Sequence, residues 1–108
     1  MNPQPDSGAE PVRLIVSGEL DLHTFRPRDL PELLPAWFEE CRNQGILTVR
    51  VIHGKGSGTL RTGVHSLLQK MSGDPPAPVS SWTFPAPVSA GGWGGTLVFL
   101  NGSANPDI

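Results

Sequence analysis

Residues 47 to 65 read LTVRVIHGKGSGTLRTGVH, and this stretch narrows the fold more than any other. Val49 and Val51, with neighbouring Leu47 and Ile52, form a β-branched, mostly apolar run that predicts a central strand. The run ends abruptly in His53-Gly-Lys-Gly-Ser-Gly, and Leu60, Val64, Leu67, Leu68 and Met71 then recur at helical spacing, with Thr59 as the expected N-cap. A buried strand that feeds a helix through a glycine loop is half of a crossover unit.

The other half lies upstream. Leu20 and Leu22 alternate with Asp21 and His23 at strand period. Leu30, Leu33, Leu34, Trp37, Phe38 and Cys41 then fall at i, i+3, i+4, i+7, i+8 and i+11, an amphipathic helix closed by Gly45 just past its end. Pro31 and Pro35 predict an irregular first turn or a kink at Pro35, because proline lacks the N–H that a helix interior needs. After GDPPAP, Val79 to Phe84 and Thr96 to Leu100 read as two more strands around a GGWGG loop. The order β-α-β-α-β-β predicts an α/β fold: a two-layer sandwich with a mixed four-stranded sheet whose first two strands are parallel. Residues 1–11, with three prolines and no periodicity, are expected to be a disordered tail, 12–101 the domain, and 102–108 a short C-terminal tail. Val12 to Val16 could add an edge strand.

At 108 residues the chain suits one modest core. No run approaches the ~20 apolar residues of a membrane span. The polar start MNPQPDSGAEPV lacks a secretory apolar core, and a single cysteine, Cys41, allows no internal disulfide; a cytoplasmic, non-membrane protein is the expectation. The net charge of −2 and pI of about 5.8 argue against a strongly basic coat protein. Seven of the eight lysines and arginines nevertheless lie between Arg26 and Lys70, so an anion-binding face must come from the middle of the chain.

Ligands of open α/β sheets bind in the crevice beyond the carboxyl ends of parallel strands. His23 and His53 each follow such an end, about thirty residues apart as a crossover requires. Gly54, Gly56 and Gly58 allow positive φ and close approach of a ligand, and consecutive N–H groups at a helix start form an anion nest. Lys55 and Arg61 would add positive charge, which makes a phosphate the natural occupant. The pattern is neither a P-loop nor the dinucleotide fingerprint, and a tight strand-to-helix turn explains the glycines about as well. Asp21 and His23 are one residue apart and would share a strand face, where the carboxylate could orient the imidazole or, more blandly, cap a backbone. His65 lies off the apolar stripe of its helix and is expected at the surface.

LDLH at 20–23, HGKGSGTLR at 53–61 and GGWGGTLVFL at 91–100 together resemble the small MutS-related (Smr) domain family, in order and with its spacings, from about Gly18 to Leu100. Thr24 stands where that family usually has glycine. The resemblance implies a sandwich similar to the C-terminal domain of translation initiation factor three and an endonuclease acting on DNA or messenger RNA. It carries Asp21, Leu22 and His23, and His53, Gly54, Lys55 and Gly56, into the site.

The leading expectation is a nucleic-acid phosphodiesterase, RNA favoured over duplex DNA. Asp21, His23, His53 and Lys55 are the catalytic candidates, and Gly54, Gly56, Gly58 and Arg61 the nucleic-acid contacts. One carboxylate is too few for a two-metal clamp, so no resident metal or other cofactor is expected. A non-catalytic module binding RNA or the ribosome, and a binder of small nucleotides or phosphate ligands, are the alternatives.

Overall fold

The computed structural model describes residues 18–56 and 58–102; the expected tails and the edge strand at Val12 to Val16 lie outside them, apart from the first of the C-terminal residues. Four strands, β1 (Gly18–Asp21), β2 (Thr48–Ile52), β3 (Val79–Thr83) and β4 (Gly95–Leu100), form one mixed sheet in the order β1-β2-β4-β3. β1 pairs with β2 in parallel, while β4 runs antiparallel to both β2 and β3. Helix α1 (Leu30–Asn43) connects β1 to β2, and α2 (Thr59–Met71) follows β2. The α/β architecture and the element order are those expected. Among the described residues, no helix is long and apolar enough to cross a membrane.

Strand parity decides which side chains meet the helices. Val49 and Val51 of β2 and Val98 and Leu100 of β4 point inward, and with Leu30, Leu34 and Phe38 of α1 and Val64 and Leu68 of α2 they form one buried cluster. Full burial of such a side chain contributes about 1.5–3 kcal/mol, so this layer supplies most of the driving force. Gly63 allows the helices to approach, since a Cβ there would lie 3.0 Å from Leu30 Cδ1. The opposite sheet face carries a smaller cluster: Ala86, Ala90 and Leu97, with Phe99 against them.

Helix α1 starts after a 3-10 turn, Pro27–Asp29, in which the Arg26 N–H donates to Asp29 Oδ2 at 2.8 Å. Pro31 occupies the first turn and Pro35 sits inside a continuous helix, so the expected irregularity falls before α1 rather than at Pro35. The helix closes with Gly45 at φ +77°, as its sequence predicts. Thr59, expected as the N-cap of α2, is its first residue; the cap is Gly58, whose left-handed φ of +88° turns the chain into the helix. Outermost strand β3 breaks register between Val79 and Ser81, and the Val79 carbonyl accepts the Gly73 N–H at 2.9 Å.

Among the described residues, one arginine side chain belongs to the core. Arg42 is 7% exposed and donates from Nε to the Asn101 carbonyl at 3.0 Å, from the guanidinium to the Gly102 carbonyl at 2.9 Å, and to Glu39 at 2.8 Å. It thereby ties the end of β4 to α1. Arg42→Ala should cost about 2–4 kcal/mol, since it removes charge-assisted bonds and strands two carbonyls. Urea unfolding measures this, with exposed Arg28→Ala as the near-neutral control.

Candidate functional site

Parallel pairing aligns Asp21 with Ile52, and the Leu22 N–H donates to the Ile52 carbonyl at 2.8 Å. The two following segments, Leu22–Pro27 and the glycine loop 53–58, therefore emerge from the same sheet edge, as the sequence requires. Between them lies an open cleft of about 270 Å³ lined by Phe25, Arg26, Pro27, His53, Gly56, Gly58, Thr59 and Leu60.

The first wall is a turn. The expectation that Asp21 and His23 share a strand face is corrected: β1 stops at Asp21, and His23 lies two residues further, exposed, in a turn closed by the Phe25 N–H donating to the Leu22 carbonyl at 2.9 Å. Asp21 Oδ1 accepts the backbone N–H of His23 at 2.9 Å, which is the capping role of a short carboxylate at a turn. Arg26, not foreseen as a site residue, lines the cleft from this side. Its place three residues after His23, in HTFRPRD, was the available signal.

The second wall is the glycine loop. Gly54 (φ +83°) and Gly58 (φ +88°) take left-handed conformations that other residues adopt only under strain. Gly56, expected to need positive φ, does not take it, and a Cβ there would meet no atom within 4 Å. The Gly54 N–H is committed to the Gly94 carbonyl at 3.0 Å, beside the His53 N–H at 2.9 Å, so Gly54 shapes the turn rather than offering an anion a donor. Lys55 and Gly56 are exposed on the loop, and Arg61 lies over Gly58, where a Cβ would meet its guanidinium at 2.8 Å. The α2 dipole points its positive end at this wall.

Behind the cleft is a polar cluster that the sequence reading missed. His53 continues the inward parity of Val49 and Val51, and the residue is 8% exposed. Its Nδ1 lies 3.1 Å from the Gly54 carbonyl and its Nε2 2.9 Å from Thr96 Oγ1. Thr96 is fully buried and also lies 2.8 Å from Nε2 of His65. His65 is therefore not a surface residue. It is half-buried, with its ring centroid 4.7 Å from both Trp82 and Phe84 and 5.7 Å from that of His53, perpendicular to it. The stripe of α2 is wider than its aliphatic residues suggest, because aromatics of β3 and the segment after it cover its flank. The signals were a lone threonine in the apolar run of β4 and the period-two step to position 53.

The directions of these bonds follow from chemistry. A carbonyl only accepts, so His53 carries a proton on Nδ1, and in the neutral ring its Nε2 accepts from the Thr96 hydroxyl. That hydroxyl oxygen then accepts from His65 Nε2–H. This wiring requires a neutral His53, whereas His65 can donate through Nε2–H in either protonation state. Burial is the main cause pushing both below the usual histidine range; for His53 the Gly54 carbonyl opposes this and Arg61 adds to it, and for His65 the neighbouring His53 and Arg61 both add to it. Among the described residues, no three histidine, cysteine, aspartate or glutamate side chains stand close enough together to hold a metal ion.

Comparison with known proteins agrees with the fold. The Smr domain family model matches residues 20–101. Endonuclease MutS2 of Thermomicrobium roseum is 35% identical over 85 residues, covering 79% of this chain and 10% of that protein, and endonuclease MutS2 of Lactobacillus johnsonii is 34% identical over 84 residues. The chain thus spans about a tenth of the length of these curated relatives. The crystal structure of the Smr domain of Thermus thermophilus MutS2 superposes with a TM-score of 0.66 at 33% identity, covering 78% of this chain and 98% of that one. YdaL, a stand-alone small MutS-related protein from Escherichia coli, shares the fold with a TM-score of 0.65 at 21% identity, covering 77% of this chain and 63% of its own.

Lowered imidazole values give stability a pH dependence of definite sign. Where the unfolded chain binds more protons than the folded one, stability rises with pH. The contribution is therefore complete above the ordinary histidine value of about 6.5 and is lost as pH falls from there toward the lower folded values. Urea midpoints should drop between pH 7.5 and 5.5, and His65→Phe, which keeps the ring stacking, should shrink that drop.

Proposed function

Because the chain belongs to the Smr domain family, we propose that it is a nucleic-acid endonuclease that cleaves phosphodiester bonds at the cleft between the Leu22–Pro27 turn and the glycine loop, with RNA as its preferred substrate. The observation that carries this reading is convergence: an exposed imidazole at His23, the cations Arg26, Lys55 and Arg61, and the positive end of α2 all belong to one sheet edge. Such an arrangement suits a phosphate that gains charge as it reacts. The names of the MutS2 relatives are consistent with cleavage.

In the proposed chemistry Lys55, Arg61 and the helix start hold the scissile phosphate. His23, in a turn fixed by Asp21, takes the proton of the attacking 2′ hydroxyl; the O2′–P bond forms and the P–O5′ bond breaks. The leaving 5′ oxygen takes a proton from His53 in its imidazolium form, in which Nδ1–H has left the Gly54 carbonyl and Nε2–H donates to the Thr96 hydroxyl oxygen, so that the transfer returns the ring to neutral. The products are a 2′,3′-cyclic phosphate and a 5′ hydroxyl. A non-catalytic nucleic-acid-binding module is the second reading, favoured by the engagement of both His53 nitrogens within the protein.

Incubation with single-stranded RNA and mapping of the strand ends decides between them. Cleavage should survive EDTA, vanish with a 2′-deoxy substitution at the cut position, and fall about 10²-fold or more in His23→Ala. A divalent requirement with 5′-phosphate ends would replace the hydroxyl attack by a metal-activated water, and absence of turnover with retained binding would leave the module.

Binding tests the loop separately. Gly54→Val should weaken nucleic-acid affinity, because a β-branched residue resists φ near +83°, whereas Gly56→Ala should remain close to the parent. Lys55→Ala should lower affinity and reduce the salt slope by about one unit for the lost phosphate contact. Fluorescence anisotropy over a salt series measures all three.

A further inference from the structure

Trp93 is 61% exposed, against the general tendency of indole rings to be largely covered. Its seat is nonetheless well fixed. It lies on the single turn Gly92–Gly94, meets the Phe84 ring edge-on at 5.4 Å between centroids, and precedes the Gly94 carbonyl that accepts from both His53 and Gly54. Phe84 in turn carries the Arg61 guanidinium 5.5 Å from its ring centroid. On Gly94, a Cβ would lie 3.6 Å from Lys55 Cγ. A flat apolar face thus stands in the open, with a guanidinium one ring away through Phe84 and a lysine stem one residue away beside Gly94.

The occupant that uses all of these groups has a planar aromatic face joined to an anion. An apolar peptide would use the ring and leave the cations idle. A lone phosphate would do the reverse, and a duplex keeps its bases stacked on one another. Resting on the nucleic-acid reading of the cleft, we infer that Trp93 is a stacking platform for an unpaired base of a single-stranded nucleic acid whose adjoining phosphate faces Lys55 and Arg61. Base–aromatic stacking of this kind is tolerant of sequence, so the platform selects for single-strandedness rather than for a particular base.

The test compares the full chain with Trp93→Ala and Trp93→Phe in binding to a fluorescent single-stranded oligonucleotide, the same strand with abasic residues, and a duplex. The parent should bind the abasic strand roughly tenfold more weakly than the intact one. Trp93→Ala should lose about the same factor on the intact strand, show no further loss on the abasic strand, and leave duplex binding unchanged; Trp93→Phe should retain most of the affinity. Circular dichroism melts establish that the variants are folded, and the phenylalanine variant gives a second reading should the alanine variant unfold. Equal affinity of the parent for intact and abasic strands, or normal single-strand binding by Trp93→Ala, overturns the platform while leaving the nucleic-acid reading standing. Failure of the parent to bind any of the three overturns both.

Discussion

Parallel strands cannot be joined by a tight turn, so laying Gly18–Asp21 beside Thr48–Ile52 obliges the intervening chain to leave the sheet, cross it as α1, and return. Most of the geometry follows from that crossing. Both strands end on one edge, so the segments that continue them are neighbours without any contact between distant loops having to be arranged. Antiparallel β4 then closes the other side of β2 and brings the glycine-rich turn Gly92–Gly94 back to the same edge. There a single carbonyl, that of Gly94, binds the first two N–H groups after β2. Two glycine-rich segments remote in sequence are thereby held to one another through backbone alone, which leaves the side chains of Lys55 and Trp93 at liberty to face outward.

Beneath this edge the protein buries a polar group where an aliphatic one would have served packing better. Thr96 lies among Leu97, Val98 and Leu100 in β4, yet its hydroxyl satisfies two imidazoles at once. A hydroxyl has one proton to give, so it fixes the tautomer of each ring and makes their titrations interdependent. The cleft floor is therefore a set of oriented dipoles rather than a freely rotating ring. In the proposed chemistry this arrangement is the resting state, which His53 leaves when its Nδ1–H turns from the Gly54 carbonyl to the leaving oxygen.

What the sequence made legible, and what it did not, divides along a physical line. Periodicity is a property of one segment and its environment, so the buried faces of α1 and α2 and the central place of β2 could be read directly from Leu30 to Cys41, Leu60 to Met71, and Val49 with Val51. The motifs around His23 and His53 likewise put their two segments on one edge, which the parallel pairing of β1 with β2 bears out. The details that escaped depend on groups from separate elements. His65 seemed a surface residue because its helix alone gives it no partner; Trp82, Phe84 and Thr96 supply three. Arg42 counted as one charge among several until the end of β4 offered it two carbonyls. Three evenly spaced glycines suggested three equal roles, but the left-handed positions are 54 and 58, set by where the chain leaves β2 and where it enters α2.

The irregular start of β3 bears on how molecules of this protein behave toward one another. A strand at the border of a sheet offers its outward amides and carbonyls as a template on which another chain can assemble. Here the register breaks between Val79 and Ser81, and the carbonyl of Val79 is already covered by Gly73. Little regular ladder then remains along five residues for a second molecule to extend. The most strongly β-forming stretch of the chain, TVRVI, is enclosed between two neighbours, while the border strand is short, bent and serine-rich. Self-association by edge pairing is thus discouraged on this side of the sheet by backbone shape, without recourse to a charged gatekeeper.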